Sequence, residues 1–282
     1  MRPNDFAQIQ DTSGTTGFPK GVLLHHHGLV NNARFTMQRM GGGRTDVAVW
    51  PLPLFHTAGC GMGVLGALSA RATLVYLTRF DPALHLELLE SERATITCGV
   101  PTMFIAMLGH PDSASRDLSS LRVAGAGGAP VSIEMAREWE RRFGVRFFIV
   151  FGTTECSPII SATRLDDPPE TRIGTLGTAL PHTDMMIADP VTGHPVPVDT
   201  VGELCARGYL LMHGYFDDPQ ATAAAIDANG WYHTGDLAVM SAGGYLRVAG
   251  RLTDMIICGG EKIYPKEIED LLHTHLAVAR SP

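Results

Sequence analysis

Short, almost wholly apolar runs alternate with helical patterns over residues 73–152. The runs are Thr73–Leu77, Ala94–Val100, Leu121–Ala126 and Val145–Phe151. None shows the apolar/polar alternation of a strand with one wet face, so each is predicted as a strand covered on both faces. Asp81 and Pro82 open the first intervening helix as cap and first residue, and Leu84, Leu88 and Leu89 share a face of it. Pro101 opens a second helix through Met103, Phe104 and Met107. Ser132 caps a third, which ends at Gly144. Repeated strand–helix–strand units predict right-handed crossovers and a parallel sheet, an α/β fold with helices flanking mostly parallel strands.

After about residue 170 the pattern changes. Glycine and proline become frequent and short strand-like runs replace the long helices, as in Gly202–Arg207 and Ala238–Val248. The second of these reads as a hairpin turning at Ala242-Gly243-Gly244. A small distorted β-barrel or twisted sheet is expected here. From Arg251 a new α+β unit begins: a strand at Met255–Cys258, a Gly-Gly turn, and a helix opened by Pro265. The expected division is residues 1–250 as a large domain and 251–282 as the start of a second. A unit of about 30 residues is too small to fold alone, so the chain is expected to be cut short at its end.

Composition narrows the function classes. With 282 residues, 45% hydrophobic and 18% charged, the chain can bury a sizeable core and is not disordered. A net charge of -7 argues against nucleic acid as the main partner. The five cysteines include no C-x-x-C pair, which speaks against a disulfide framework or a zinc site and for a reducing compartment. The N-terminus has no apolar signal-peptide core, and the apolar stretch Met62–Leu77 is interrupted by Arg71 and too short to span a bilayer. A cytoplasmic protein is expected.

The sharpest chemical feature is Thr12-Ser13-Gly14-Thr15-Thr16-Gly17-Phe18-Pro19-Lys20-Gly21. Glycines let backbone amides approach an anion, hydroxyls donate to phosphate oxygens, and the lysine adds a point charge. The run is not a Walker A loop, because Pro19 and Gly21 stand where that loop needs glycine and a hydroxyl residue. Glu155 follows a buried strand, at the carboxyl edge where α/β sheets bind ligands, and a carboxylate beside a phosphate loop suits Mg²⁺. Thr154 can donate to a phosphate oxygen and Phe151 offers a flat face. Asp236 can accept from two ligand hydroxyls, and Arg251 can supply a fixed positive charge. The run His25-His26-His27 is read as a solvated or partly packed stretch rather than a metal site, since adjacent residues on a helix point apart. Cys156 has no implied base and is read as pocket lining.

The hydroxyl- and glycine-rich run resembles the phosphate-binding signature of the adenylate-forming superfamily, which includes acyl-CoA synthetases, peptide-synthetase adenylation domains and firefly-type luciferases. Further blocks follow in family order. Pro53-Leu54-Phe55-His56 resembles the block whose histidine, here His56, lies at the acyl pocket. Gly127-Gly128-Ala129-Pro130 resembles the adenine-contacting turn, and Phe151-Gly152-Thr153-Thr154-Glu155 the aromatic-Gly-x-Thr-Glu block. Gly202-Glu203-Leu204, Tyr232-His233-Thr234-Gly235-Asp236, Gly250-Arg251-Leu252-Thr253-Asp254 and Gly259-Gly260-Glu261-Lys262-Ile263-Tyr264-Pro265 complete the series.

The resemblance implies two half-reactions: a carboxylic acid and ATP form an acyl-adenylate, and coenzyme A then displaces AMP. It implies Lys20, Thr154 and Glu155 as catalytic residues, with Glu155 holding Mg²⁺. It implies Thr12 to Gly17, Lys20, Gly128 to Pro130, Phe151 to Thr154, Asp236 and Arg251 as nucleotide-binding, and His56, Gly127 and Cys156 at the substrate pocket. Thr154-Glu155-Cys156-Ser157-Pro158 and Lys262-Ile263-Tyr264-Pro265 look most like fatty-acid or aromatic-acid CoA ligases. The alternatives are an adenylation domain acting on another acid (aromatic or amino acid), a luciferase-type oxygenase, and an inactive nucleotide-binding remnant. Three departures stand out. Eleven residues precede Thr12, where the family has a long segment. The late Pro-x-x-x-x-Gly-Lys block is missing. Thr253 stands at the family's hinge position, usually Asp or Lys.

Overall fold

In the computed structural model, β7 (Arg146–Gly152) carries the logic of the fold. Phe147 and Ile149 point into one apolar cluster and Phe148 and Val150 into another, so the strand is buried on both faces. The structure describes residues 2–12 and 19–254, and the backbone of 256–258 and 261–263.

The chain opens with an antiparallel pair, β1 (Phe6–Thr12) and β2 (Lys20–His25), and a 14-residue helix, α1 (His26–Arg39). The alternating section follows: β3 (Val47–Trp50), a π-helical turn (Ala58–Leu65) running into α2 (Gly66–Ala70), β4 (Thr73–Tyr76), α3 (Pro82–Ser91), β5 (Ile96–Gly99), α4 (Pro101–Gly109), β6 (Val123–Ala126) and α5 (Ile133–Phe143), which leads into β7. Next come β8 (Ile159–Ala162), α6 (Pro169–Gly174) and β9 (Thr178–Ala179). Strands β3 to β9 form one seven-stranded sheet in the order β4-β3-β5-β6-β7-β8-β9. The pairings from β4 to β7 are parallel, and β7-β8-β9 are antiparallel. The sheet is therefore mixed, extended by one strand that the apolar runs missed (β3) and by a short antiparallel edge.

Its helices start where the sequence places them. Asp81 accepts from Leu84 N and Ser132 from Met135 N, each capping its helix, and Gly144 ends α5 in the left-handed region at φ 68°. The buried face of α3 is His85, Leu86 and Leu89 rather than the expected leucine stripe, because Leu84 lies in the exposed first turn. One face of the sheet buries Leu86, Phe104, Trp139 and Phe147 under α3, α4 and α5. The other buries Met37, Met40, Trp50 and Phe148 under α1 and the π-helical turn.

The stretch Met62–Leu77 breaks into the π-helical turn, α2, a left-handed residue at Arg71 and the strand β4. No helix among the described residues is long and apolar enough to cross a membrane.

Beyond residue 180 lie β10 (Thr183–Ala188), β11 (Gly202–Gly208), β12 (Gly214–Tyr215), α7 (Pro219–Ala225), β13 (Tyr232–Met240) and β14 (Leu246–Arg251). Here β10-β11-β13-β14 form an open antiparallel sheet rather than a closed barrel among the described residues, while β12 leaves it to pair with β2. The hairpin β13–β14 turns through Ser241–Tyr245, as its glycines predict. A last backbone hairpin joins β15 (Ile256–Cys258) and β16 (Glu261–Ile263). The expected Gly259-Gly260 turn and the helix at Pro265 lie outside the described residues.

Candidate active site

Parallel strands deliver their carboxyl ends to one edge, and three of the motif blocks begin there. The Pro53–His56 segment follows β3, Gly127–Pro130 follows β6, and Gly152–Glu155 ends β7. Gly127 is buried, and a Cβ on it would lie 2.6 Å from Val150 O, so the turn can hug β7 only as glycine. Gly128 takes φ +77°, and Gly128, Ala129 and Pro130 are exposed. Phe151 is half-buried, packed between the cluster around Ile160 and the one around Leu204.

Glu155 lies in a single 3-10 turn, Thr154–Cys156, following Gly152 and Thr153. Asn32 of α1, fully buried, clamps the far side of the turn by donating to Ile159 O at 2.7 Å and accepting from Ile159 N at 3.0 Å. A strap from residue 210 to 216 holds the near side. Ser157 Oγ donates to Leu210 O at 2.7 Å, Met212 N to Glu155 O at 2.8 Å, and His213 N to Leu23 O at 2.9 Å. The strap thereby ties the Glu155 turn to β2, whose first residue is Lys20.

Tyr215 in that strap joins the two chemical groups. Its hydroxyl donates to Glu155 Oε1 at 2.9 Å, and its ring centroid lies 4.9 Å from Lys20 Nζ. Burial, then the neighbouring Glu155 carboxylate, pushes the Tyr215 phenol up, so it stays a donor. Tyr232 is raised for the same two reasons. Glu155 itself is 8% exposed. Sequence reasoning missed Tyr215, because nothing in a short Gly-Tyr run marks what its ring will face.

Thr12 and Lys20 are cross-strand partners, with Thr12 Oγ1 3.5 Å from Lys20 O. Ser13, Gly14, Thr15, Thr16 and Gly17 lie outside the described residues. Asp236 and Arg251 are partners across β13 and β14, with Asp236 Oδ1 3.4 Å from Arg251 Nε. Burial raises the Asp236 carboxyl and Arg251 opposes the shift; Glu203 and Glu155 lie within electrostatic reach and add to the rise.

His56 is exposed at the start of the π-helical turn, where its Nδ1 accepts from Ala58 N at 3.0 Å. Leu54 and Phe55 beside it are 51% and 81% exposed, and Phe55 O accepts from the Gln10 side chain of β1. Cys156 is placed differently from its reading as pocket lining. It is fully buried among Val22, Leu24 and Ala206, and burial pushes its thiol up. A thiol is the most readily desolvated side chain of the turn, and it packs beneath the site rather than facing it.

The three histidines do not share a helix. His25 ends β2 and caps α1, its Nδ1 accepting from Gly28 N while Nε2 donates to Leu211 O, both at 2.9 Å. His27 is exposed. A separate group, Glu203, Cys205 and His233, has donor atoms within 4.8 Å of one another. There the Nδ1 of His233 is already hydrogen-bonded to Glu203 Oε2 at 2.8 Å.

Residues 1–216 match the family model described as AMP-binding enzyme. The chain is 47% identical over 271 residues to the putative acyl-CoA synthetase YngI of Bacillus subtilis, covering 96% of this chain and 49% of that protein. It is 43% identical over 276 residues to the mitochondrial medium-chain acyl-CoA ligase ACSF2 of Danio rerio, covering 96% and 46%. The chain thus spans about half the length of the curated relatives it matches. Among solved structures, ATP-bound MatB from Rhodopseudomonas palustris superposes with a TM-score of 0.92 at 32% identity, covering 99% of this chain and 55% of that one. The AMP complex of o-succinylbenzoate coenzyme A synthetase from Bacillus subtilis gives 0.87 at 31% identity, covering 99% and 56%. By sequence match and by fold, the chain belongs to the AMP-binding enzyme family, and the curated relatives it matches are named acyl-CoA synthetases and ligases.

Proposed function

We propose that the protein activates a carboxylic acid, most suitably a fatty acid, with ATP and transfers the acyl group to coenzyme A. The observation that carries this reading is the convergence of Lys20, Tyr215 and Glu155 at the carboxyl edge of the sheet, with Asp236 within electrostatic reach of Glu155. The similarity to a medium-chain acyl-CoA ligase and the exposed Leu54 and Phe55 beside His56 favour an apolar acid.

In this reading the acid's carboxylate oxygen attacks the α-phosphorus of ATP, and the bond to the pyrophosphate oxygen breaks. The coenzyme A thiolate then attacks the acyl carbon and AMP leaves with the carboxylate oxygen. The first step needs charge stabilisation and in-line placement more than proton transfer. Lys20 and the hydroxyls of Thr12 to Thr16 hold the phosphates, and Thr154 donates to one of their oxygens. Asp236 accepts from the ribose hydroxyls beside Arg251. The turn Gly127–Pro130 receives the adenine, with Phe151 packed behind it, and His56 stands at the acid.

Glu155 fits a magnesium ion. It is a hard oxygen donor held by a built turn, Tyr215 engages only Oε1, and Mg²⁺ commonly takes one carboxylate together with substrate phosphates. Bound there, the ion supplies Lewis-acid neutralisation of phosphate charge. Residues from 251 onward are proposed as the start of a second unit, hinged near Thr253. The buried free thiols of Cys98, Cys156 and Cys205 suit a reducing compartment such as the cytoplasm.

Exchange of labelled pyrophosphate into ATP, driven by a panel of fatty, aromatic and amino acids, tests the first half-reaction. Coenzyme A-dependent release of AMP tests the second. Fatty-acid-driven exchange with thioester formation is the expected result. Exchange driven by amino acids alone, or by no acid, overturns the reading.

A further inference from the structure

The strands β11 and β13 fall out of register at one place. Glu203 pairs with Leu237 and Cys205 with His233. One residue, Leu204, therefore faces three: Thr234, Gly235 and Asp236. The extra residues form a bulge, with Gly235 in the left-handed region at φ +72°.

A bulge removes backbone groups from the ladder, and these need other partners. Glu203 supplies them. Its Oε1 accepts from Gly235 N at 3.1 Å and its Oε2 from His233 Nδ1 at 2.8 Å, one contact on each side of Thr234. Thr234 closes the structure by donating to Leu204 O at 2.8 Å and accepting from Asp236 N at 3.1 Å. Glu203 is 6% exposed, and a buried carboxylate is costly unless its oxygens are engaged, as both are here. The bulge delivers Asp236 opposite Arg251, and the Asp236 carboxylate forms an ion pair with it at 3.4 Å.

We infer that Glu203 is a positioning residue for nucleotide recognition: its carboxylate holds the β13 bulge open and so aims Asp236 at the two ribose hydroxyls. The inference rests on the ribose role proposed above for Asp236. Without Glu203, Gly235 N and His233 Nδ1 lose their acceptor. The bulge then relaxes toward a regular ladder, and Asp236 slides along the strand relative to Arg251. The same residues with Cys205 could be viewed as metal donors, but Glu203 and His233 already engage each other, which favours the clamp.

Calorimetric binding of ATP and of 2′,3′-dideoxy-ATP separates this role from a general structural one. The wild-type chain is expected to prefer ATP by about tenfold or more, through charge-assisted hydrogen bonds to the ribose. Asp236→Ala removes the preference. Glu203→Ala is expected to reduce it to about twofold or less while leaving dideoxy-ATP affinity unchanged. Glu203→Gln, which keeps an oxygen for Gly235 N, restores most of it. If Glu203→Ala does not fold, Glu203→Asp, too short to reach both donors, is read the same way. Retention of the preference in the Glu203 variants while Asp236→Ala loses it overturns the inference alone. Equal weakening of both ligands also overturns it. Retention of the preference in Asp236→Ala overturns the ribose reading beneath it.

Discussion

The Tyr215 hydroxyl donates to Glu155 Oε1 at 2.9 Å across 60 residues of sequence. The same ring carries Lys20 Nζ 4.9 Å from its centroid. One side chain thus holds the carboxylate proposed for the metal and the ammonium proposed for the phosphates. The pairing of β12 with β2, Tyr215 opposite Val22, makes it possible.

Tyr215→Phe removes the hydroxyl and keeps the ring. Acid-dependent pyrophosphate exchange is expected to fall by about tenfold, the size of one hydrogen bond to a charged group. The Mg²⁺ concentration for half-maximal rate is expected to rise. Tyr215→Leu also removes the ring under Lys20 and is expected to cost about 0.5–1 kcal/mol more. An unchanged Mg²⁺ requirement in Tyr215→Phe would show that the hydroxyl does not act through Glu155.

Lys20→Ala and Glu155→Gln are each expected to cost about 2–4 kcal/mol in the transition state for adenylate formation. Unfolding temperatures are expected to stay close to wild type, because Tyr215 can still donate to a glutamine oxygen and Lys20 makes no ion pair among the described residues. Exchange at wild-type rates in either variant would make this corner of the protein structural.

Gly152→Ala tests the junction of β7 and β8. A Cβ there would lie 1.9 Å from Pro158 O and 2.8 Å from Ile159 Cα, both backbone atoms that cannot give way cheaply. Urea unfolding is expected to show a loss of about 1–3 kcal/mol or more. Gly109→Ala, where the new atom meets nothing within 4 Å, serves as the control and is expected to leave stability within about 0.5 kcal/mol. Equal stabilities would mean that the Glu155 turn has room to move.

His85 should make stability depend on pH. Its Nε2 lies 2.9 Å from Thr97 Oγ1, its Nδ1 is buried without a partner, and burial pushes its pKa down to about 4. An unfolded histidine titrates near 6.5, so between these values the unfolded chain binds the proton and the native one does not. The contribution is complete above about pH 6.5 and is lost as pH falls toward 4, amounting to about 3 kcal/mol. Urea unfolding between these limits is expected to show a shallower pH slope in His85→Leu than in wild type. Identical slopes would place the titration elsewhere.

Most of the architecture was legible in the chain. Continuous apolar runs can be stable only when covered on both faces, and Asp81, Ser132 and Gly144 mark helix ends by local hydrogen bonding and backbone conformation. The glycine of the turn after β6 was equally legible, because a backbone packed this closely on a neighbouring strand needs glycine. The helix ends are short-range requirements, met within a few neighbouring positions. Strand β3, Val47–Trp50, escaped although it is no shorter than β4, β5 or β6. The tertiary structure alone decided which distant groups meet: Tyr215 with Glu155, Glu203 with His233 and Gly235 N, Asp236 with Arg251, and Cys156 with the core. Such contacts are set by strand register and by which sheet a segment joins. Those choices minimise the free energy of the whole chain, so they leave no periodicity along any one part of it.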